Sequence, residues 1–247
     1  MKKRIMMMLM AVVLAAGVAC AIDVSVSGTA DFASAYVWRG ATVNDGLVFQ
    51  PGASISGFSI PEEYGVLTFG TWANYDIAKN ATGRNEFSEV DYYATYTLPV
   101  KGVDLSATYT EYTYPHGVDS DREVALAAGK AIGESGLYPS LTVNYGLDGG
   151  VKGNWYIQGG LGYSKALSEA LTLSSSVKVA YLIDGGDGSG PDGFNDATAS
   201  IGLEYKLTEN WSIKGSINGV AQLDDKVLTA SEYDKPVYGI LGVACSF

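Results

Sequence analysis

From residue 24 onward the chain alternates. Val24, Val26, Gly28, Ala30, Phe32, Tyr36 and Trp38 fall on one parity, and Ser25, Ser27, Thr29, Asp31 and Arg39 on the other. A period of two puts the two sets on opposite faces of a β-strand, here one strand over residues 24–40 whose apolar face ends in Tyr36 and Trp38. The same pattern returns over 47–60, 66–78, 88–98 and from 103, then over 139–147, 155–164, 171–183, 197–207, 211–219 and 237–247. Pro51 counts against the second of these, because proline cannot donate to a ladder. Parity blurs over 111–114, as it would at a bulge or where the chain leaves the apolar layer. The sixth strand, near 123–128, is the least distinct, and its alanine-rich run also reads as a short helix.

Twelve strands is an even number, as a single-chain membrane barrel with both ends on one side needs. A soluble sandwich alternates too, but its outer face carries many lysines and glutamates. Here the polar face is mostly Ser, Thr, Asn and Gly. Aromatic residues sit near strand ends, Tyr36, Trp38, Tyr75, Trp155 and Tyr181 at one level and Tyr163, Tyr205, Trp211 and Phe247 at the other, like two interfacial girdles. Connections after strands 2, 4, 8 and 10 are short, and those after 3, 5, 9 and 11 are longer. The expectation is an all-β transmembrane antiparallel β-barrel of 12 strands over residues 22–247, with N and C termini periplasmic. Lipid offers no partner to an edge strand, so the last strand must close on the first.

The segment before the barrel refines the location. Lys2, Lys3 and Arg4 precede a charge-free run, and Ala19-Cys20-Ala21 supplies small residues for cleavage after Ala21, the pattern of a secretory signal peptide over 1–21. A lipoprotein signal acylated at Cys20 is the alternative, disfavoured by Gly17. Loss of the three cations takes the formal net charge from −11 to −14, which argues against a nucleic-acid partner. Cys245 would then stand alone, without a disulfide partner.

The residues 30–40, Ala-Asp-Phe-Ala-Ser-Ala-Tyr-Val-Trp-Arg-Gly, followed by Gly46 and by Phe49-Gln50-Pro51, resemble the N-terminal signature of the TorF family of porins (the Gcw-chp family of outer-membrane proteins). The Tyr-Val-aromatic-Arg-Gly core is its most specific part. The resemblance implies a location in the Gram-negative outer membrane and a porin class, and no substrate.

Candidate chemistry is sparse. The single histidine, His116, falls in a loop, and no His or Cys cluster offers a zinc site. Asp184, Asp187 and Asp192 lie in a glycine-rich loop that could wrap calcium but lacks EF-hand spacing; no cofactor is expected. The inward parity collects Asp31, Asp76, Glu89, Asp91, Asp196 and Glu204 with Arg39, Lys178, Lys206 and Lys214, beside Trp72, Tyr93 and Tyr156. Six acids and four bases suit a narrow, mixed-charge lumen passing small solutes or ions, with a weak cation preference. A structural or adhesive barrel with a plugged lumen and functional outer loops is the alternative, and an outer-leaflet lipid enzyme a remote third. Expected partners are outer-membrane lipid, the transported solutes, and the barrel-insertion machinery, which would meet the terminal strand ending in Phe247.

Overall fold

The computed structural model describes residues 24–78, 85–115, 117, 119–185 and 190–247. The signal segment, His116 and Asp187 lie outside them. Fourteen strands follow one another: β1 (Ser25–Ala33), β2 (Tyr36–Trp38), β3 (Ala41–Asn44), β4 (Val48–Ser56), β5 (Val66–Asp76), β6 (Phe87–Leu98), β7 (Asp104–Thr113), β8 (Asp121–Gly129), β9 (Leu137–Asp148), β10 (Trp155–Ala166), β11 (Leu171–Ile183), β12 (Gly193–Lys206), β13 (Trp211–Gln222) and β14 (Val237–Ser246). Twelve of them form a closed antiparallel barrel in which each pairs with its sequence neighbour and β1 pairs with β14. β2 and β3 pair only with each other.

The distribution of side chains is inside out. Leu126, Leu241 and Ile217, near mid-height on the outer face, are 66%, 63% and 62% exposed. Asn74, Asp196 and Glu123 are 0%, 1% and 3% exposed. Water as the outer solvent would reverse that order, because exposing leucine costs free energy and burying carboxylates costs more. Hydrocarbon outside and a polar interior satisfy both. Aromatic pairs stand at the two ends of this apolar surface: Tyr75–Phe87, Tyr145–Trp155 and Tyr181–Phe194 at one, Trp211–Phe247 at the other. Among the described residues no helix is long and apolar enough to cross a membrane.

The structure corrects the sequence reading at several points. The sixth strand stands as β8, in unbroken register with β7 and shifted against β9 only between Arg122 and Glu123, so the helical alternative fails. No bulge interrupts 111–113: β7 keeps register with β6 to Thr113, and parity only looked blurred because Tyr112 faces inward beside outward Glu111. Pro51 sits within β4, paired across to Ala30 on the β1 side, while the β4–β5 pairing lapses at Gln50 and Pro51.

The largest correction concerns residues 24–40, which are not one strand. β1 stops at Ala33, where the Ser34 N–H donates to the Gly239 carbonyl at 3.0 Å and the Gly239 N–H donates back to Ser34 Oγ at 3.0 Å. The chain then leaves the wall and runs into the lumen as the β2–β3 hairpin. Tyr36 and Trp38 are therefore not lipid anchors: Tyr36 is 5% exposed and packs with Ala33 and Val48 inside.

Candidate functional site

The hairpin lies at the end of the barrel opposite the chain termini. Its loop is Arg39-Gly40, between the paired residues Trp38 and Ala41. Both have positive φ, 49° and 81°, the requirement of a two-residue type I′ turn. Glycine meets it freely, arginine does not, so Arg39 must be held by its surroundings. Its carbonyl accepts from Asn195 Nδ2 at 2.7 Å. Its guanidinium donates to both oxygens of Glu123, at 2.8 and 2.6 Å, and lies 4.4 Å from the ring centres of both Trp38 and Tyr156. A bidentate ion pair between two aromatic faces is a strong, orientation-specific anchor. Gly40 leaves no room for a side chain, since a Cβ there would stand 2.8 Å from both Asp196 Cβ and Leu228 Cδ2.

The barrel order shows what this anchor spans. The hairpin leaves the wall between β1 and β4, and its tip touches Glu123 on β8, Tyr156 on β10, and Asn195 and Asp196 on β12. Counting around the twelve strands, β10 stands on the opposite wall, with β8 and β12 flanking it two strands to either side. The hairpin bridges the bore.

Its base is tied as firmly. Tyr36 Oη donates to Glu89 Oε2 at 2.8 Å, and the ring packs 5.4 Å from Trp72. Asn44 Nδ2 donates to Asp76 Oδ1 at 2.8 Å, which also accepts from Asn74, itself bonded to Gln50 and Ser88. Thr42 binds the β13–β14 connection, its N–H donating to the Glu232 carbonyl and its hydroxyl accepting from the Asp234 and Lys235 amides. Trp38 meets Tyr112 edge-on at 6.1 Å, and Tyr112 Oη donates to Glu123 at 2.9 Å. Just outside the strands, burial first and then its hydrogen bond to Asp121 push the Tyr114 phenol above its usual range, which keeps it a donor at 2.8 Å.

The sequence candidates thus divide into two groups. Arg39, Trp72, Asp76, Glu89, Asp91, Tyr156 and Asp196 gather around the hairpin, where Asp91 Oδ1 is buried without a hydrogen-bond partner. The rest lie toward the termini. Asp31 pairs with Lys214 at 3.0 Å rather than with Arg39. Tyr93 covers Gly70, where a Cβ would overlap its ring. Lys178 lies over Gly160, its Cγ 3.2 Å from where a Cβ would stand. Glu204 and Lys206 line a mouth of about 460 Å³ with Thr29, Thr172 and Ser212. Hydroxyl pairs, Thr95 with Thr108 and Ser176 with Ser200, each at 2.9 Å, dress this wider half.

Several residues of the cluster were missed, Asn44 and Asn74 among them. Glu123 and Tyr112 sit where the alternation was indistinct. Gln50 was noted only for its parity. Asn195 faces inward beside Asp196 because the register of β11 and β12 shifts between Val179 and Tyr181; the signal was the spacing of outward Phe194 and Ala197, three apart instead of two. Of the loop carboxylates that could wrap calcium, Asp192 accepts from the Asp184 N–H and Asp184 from the Gly190 N–H. Among the described residues no group of three or more His, Cys, Asp or Glu could hold a metal ion.

No family model and no curated protein matches the chain, so the TorF resemblance rests on residues 30–51 alone. Solved structures do match along nearly the whole chain. The KdgM porin is 12% identical over 90% of this chain and 99% of its own, with a TM-score of 0.51. An outer-membrane channel from Pseudomonas putida F1 is 12% identical over 91% and 94%, TM-score 0.51. The NanC porin is 8% identical over 90% and 98%, TM-score 0.50. The fold is that of outer-membrane porins and channels. At these identities the likeness carries architecture and leaves the lumen chemistry to be read from this chain's own residues.

Proposed function

We infer that the protein is an outer-membrane channel through which small solutes and ions diffuse passively, along a polar lumen narrowed at one end by the β2–β3 hairpin. The observation that carries this is the inverted barrel: leucine and isoleucine exposed on the outer wall, carboxylates and amides buried within. The termini are read as periplasmic, because the short turns at 167–170 and 207–210 lie at their end and the long connections 34–47 and 223–236 at the other. The C-terminal strand, closing the barrel against β1 and ending in Phe247, is the segment offered to insertion machinery.

Charge narrows the solute class. The hairpin level holds Asp76, Glu89, Asp91, Glu123 and Asp196 against one arginine, which disfavours anions. A KdgM porin has been solved in complex with oligogalacturonate, a polyanion; the acid-rich interior here argues for a different cargo. Proteoliposome swelling tests the reading. Small neutral sugars and small amine salts should enter faster than into protein-free vesicles, and oligogalacturonate should not. Swelling no faster than in protein-free vesicles for every solute would refute a channel, and would favour the plugged structural barrel, which the hairpin across the bore also supports.

A further inference from the structure

We propose that the β2–β3 hairpin is the filter that sets the size and charge of what passes, and that Arg39 is the residue that fixes it in place; the proposal rests on the channel reading above. The hairpin is independent of the barrel ladder, since β2 and β3 pair only with each other and β1 pairs with β4 up to Ala33 and Val48. Everything that holds its tip across the bore is a lateral contact, and most of those contacts converge on Arg39: two bonds to Glu123, the Tyr156 ring, and the Asn195 amide on its carbonyl. The left-handed backbone at Arg39 is disfavoured in isolation and persists because those contacts over-determine it.

Arg39 also sets the charge. Its guanidinium is the cation set among the acids that anchor the hairpin, directly against Glu123 and beside the Asp196 wall. Without it, Glu123 keeps only the Tyr112 hydroxyl, and the hairpin tip loses its seat against β8, β10 and β12. The passage then widens and its preference for cations strengthens. With Arg39 in place, the filter admits small cations and slim neutral solutes and turns back polyanions and bulky sugars.

Three proteins test this in planar bilayers: the wild type, Arg39→Ala, and a variant in which residues 34–47 are replaced by an Asn-Gly turn joining Ala33 to Val48. Heat-modifiable migration on a gel verifies that each barrel is folded. The turn variant should conduct about threefold or more above wild type, with Arg39→Ala between them, and reversal potentials in a KCl gradient should shift further toward potassium in both. A silent wild type beside a conducting turn variant overturns the filter, because the hairpin is then a plug and the native barrel passes nothing. A folded turn variant with wild-type conductance and selectivity overturns the filter and leaves the channel standing. A folded turn variant that passes no current overturns the channel reading itself.

Discussion

Arginine in place of Ile201 should sharply lower the yield of folded barrel, while arginine in place of its neighbour Ser200 should leave it near wild type. Ile201 is 55% exposed on the outer wall, near the middle of β12, between Ser175 and Ile217 on the adjoining strands. A cation at the bilayer midplane on that face costs roughly 2–4 kcal/mol, a large share of a typical folding free energy. Ser200 points the other way, its hydroxyl 2.9 Å from Ser176, into the wider half of the lumen where a guanidinium stays hydrated. The two changes add the same charge one residue apart, so net charge is matched and the face that receives it differs. Heat-modifiable migration after refolding into lipid vesicles reads the outcome. Arginine tolerated equally at both positions would mean that β12 has water on both faces, and the membrane barrel would be wrong.

The second large effect belongs to Glu123. Glu123→Ala removes two bonds to Arg39 and one from Tyr112 and strands a guanidinium whose side chain is only 15% exposed. Breaking one half of a buried pair costs about 3–5 kcal/mol, so urea unfolding from lipid vesicles should show a destabilisation of that order. Adding Arg39→Ala should recover part of it, because the penalty is mostly the uncompensated cation and the two sites are coupled. A Glu123→Ala barrel as stable as wild type would show that the hairpin tip is not seated on β8.

Both expectations turn on which residues face which way, and the sequence made most of that legible. A strict period of two needs no tertiary information, so Leu203, Tyr205, Ile213 and Ile217 were readable as outward from their spacing alone. What alternation cannot encode is a chain leaving the sheet without losing phase. Tyr36 and Trp38 keep the parity of Val26 and Phe32, so they read as a continuation of β1. Yet the small residues Ala33-Ser34-Ala35 mark the departure, and Arg39-Gly40 is a turn dipeptide that a strand end does not need. The partners of Arg39 were harder still. Asp31, nearer in sequence, pairs instead with Lys214 on β13, two strands along the same wall. Glu123 is far along the chain and becomes a neighbour only after closure brings β8 opposite β1.

The central claim is that this barrel encloses a conducting path through a membrane, and current across a planar lipid bilayer tests it most directly. Wild-type protein with heat-modifiable migration should give discrete conductance steps, and in a KCl gradient the reversal potential should take the sign of potassium preference. The absence of steps at every salt concentration, from protein shown to be a folded barrel, would contradict the account.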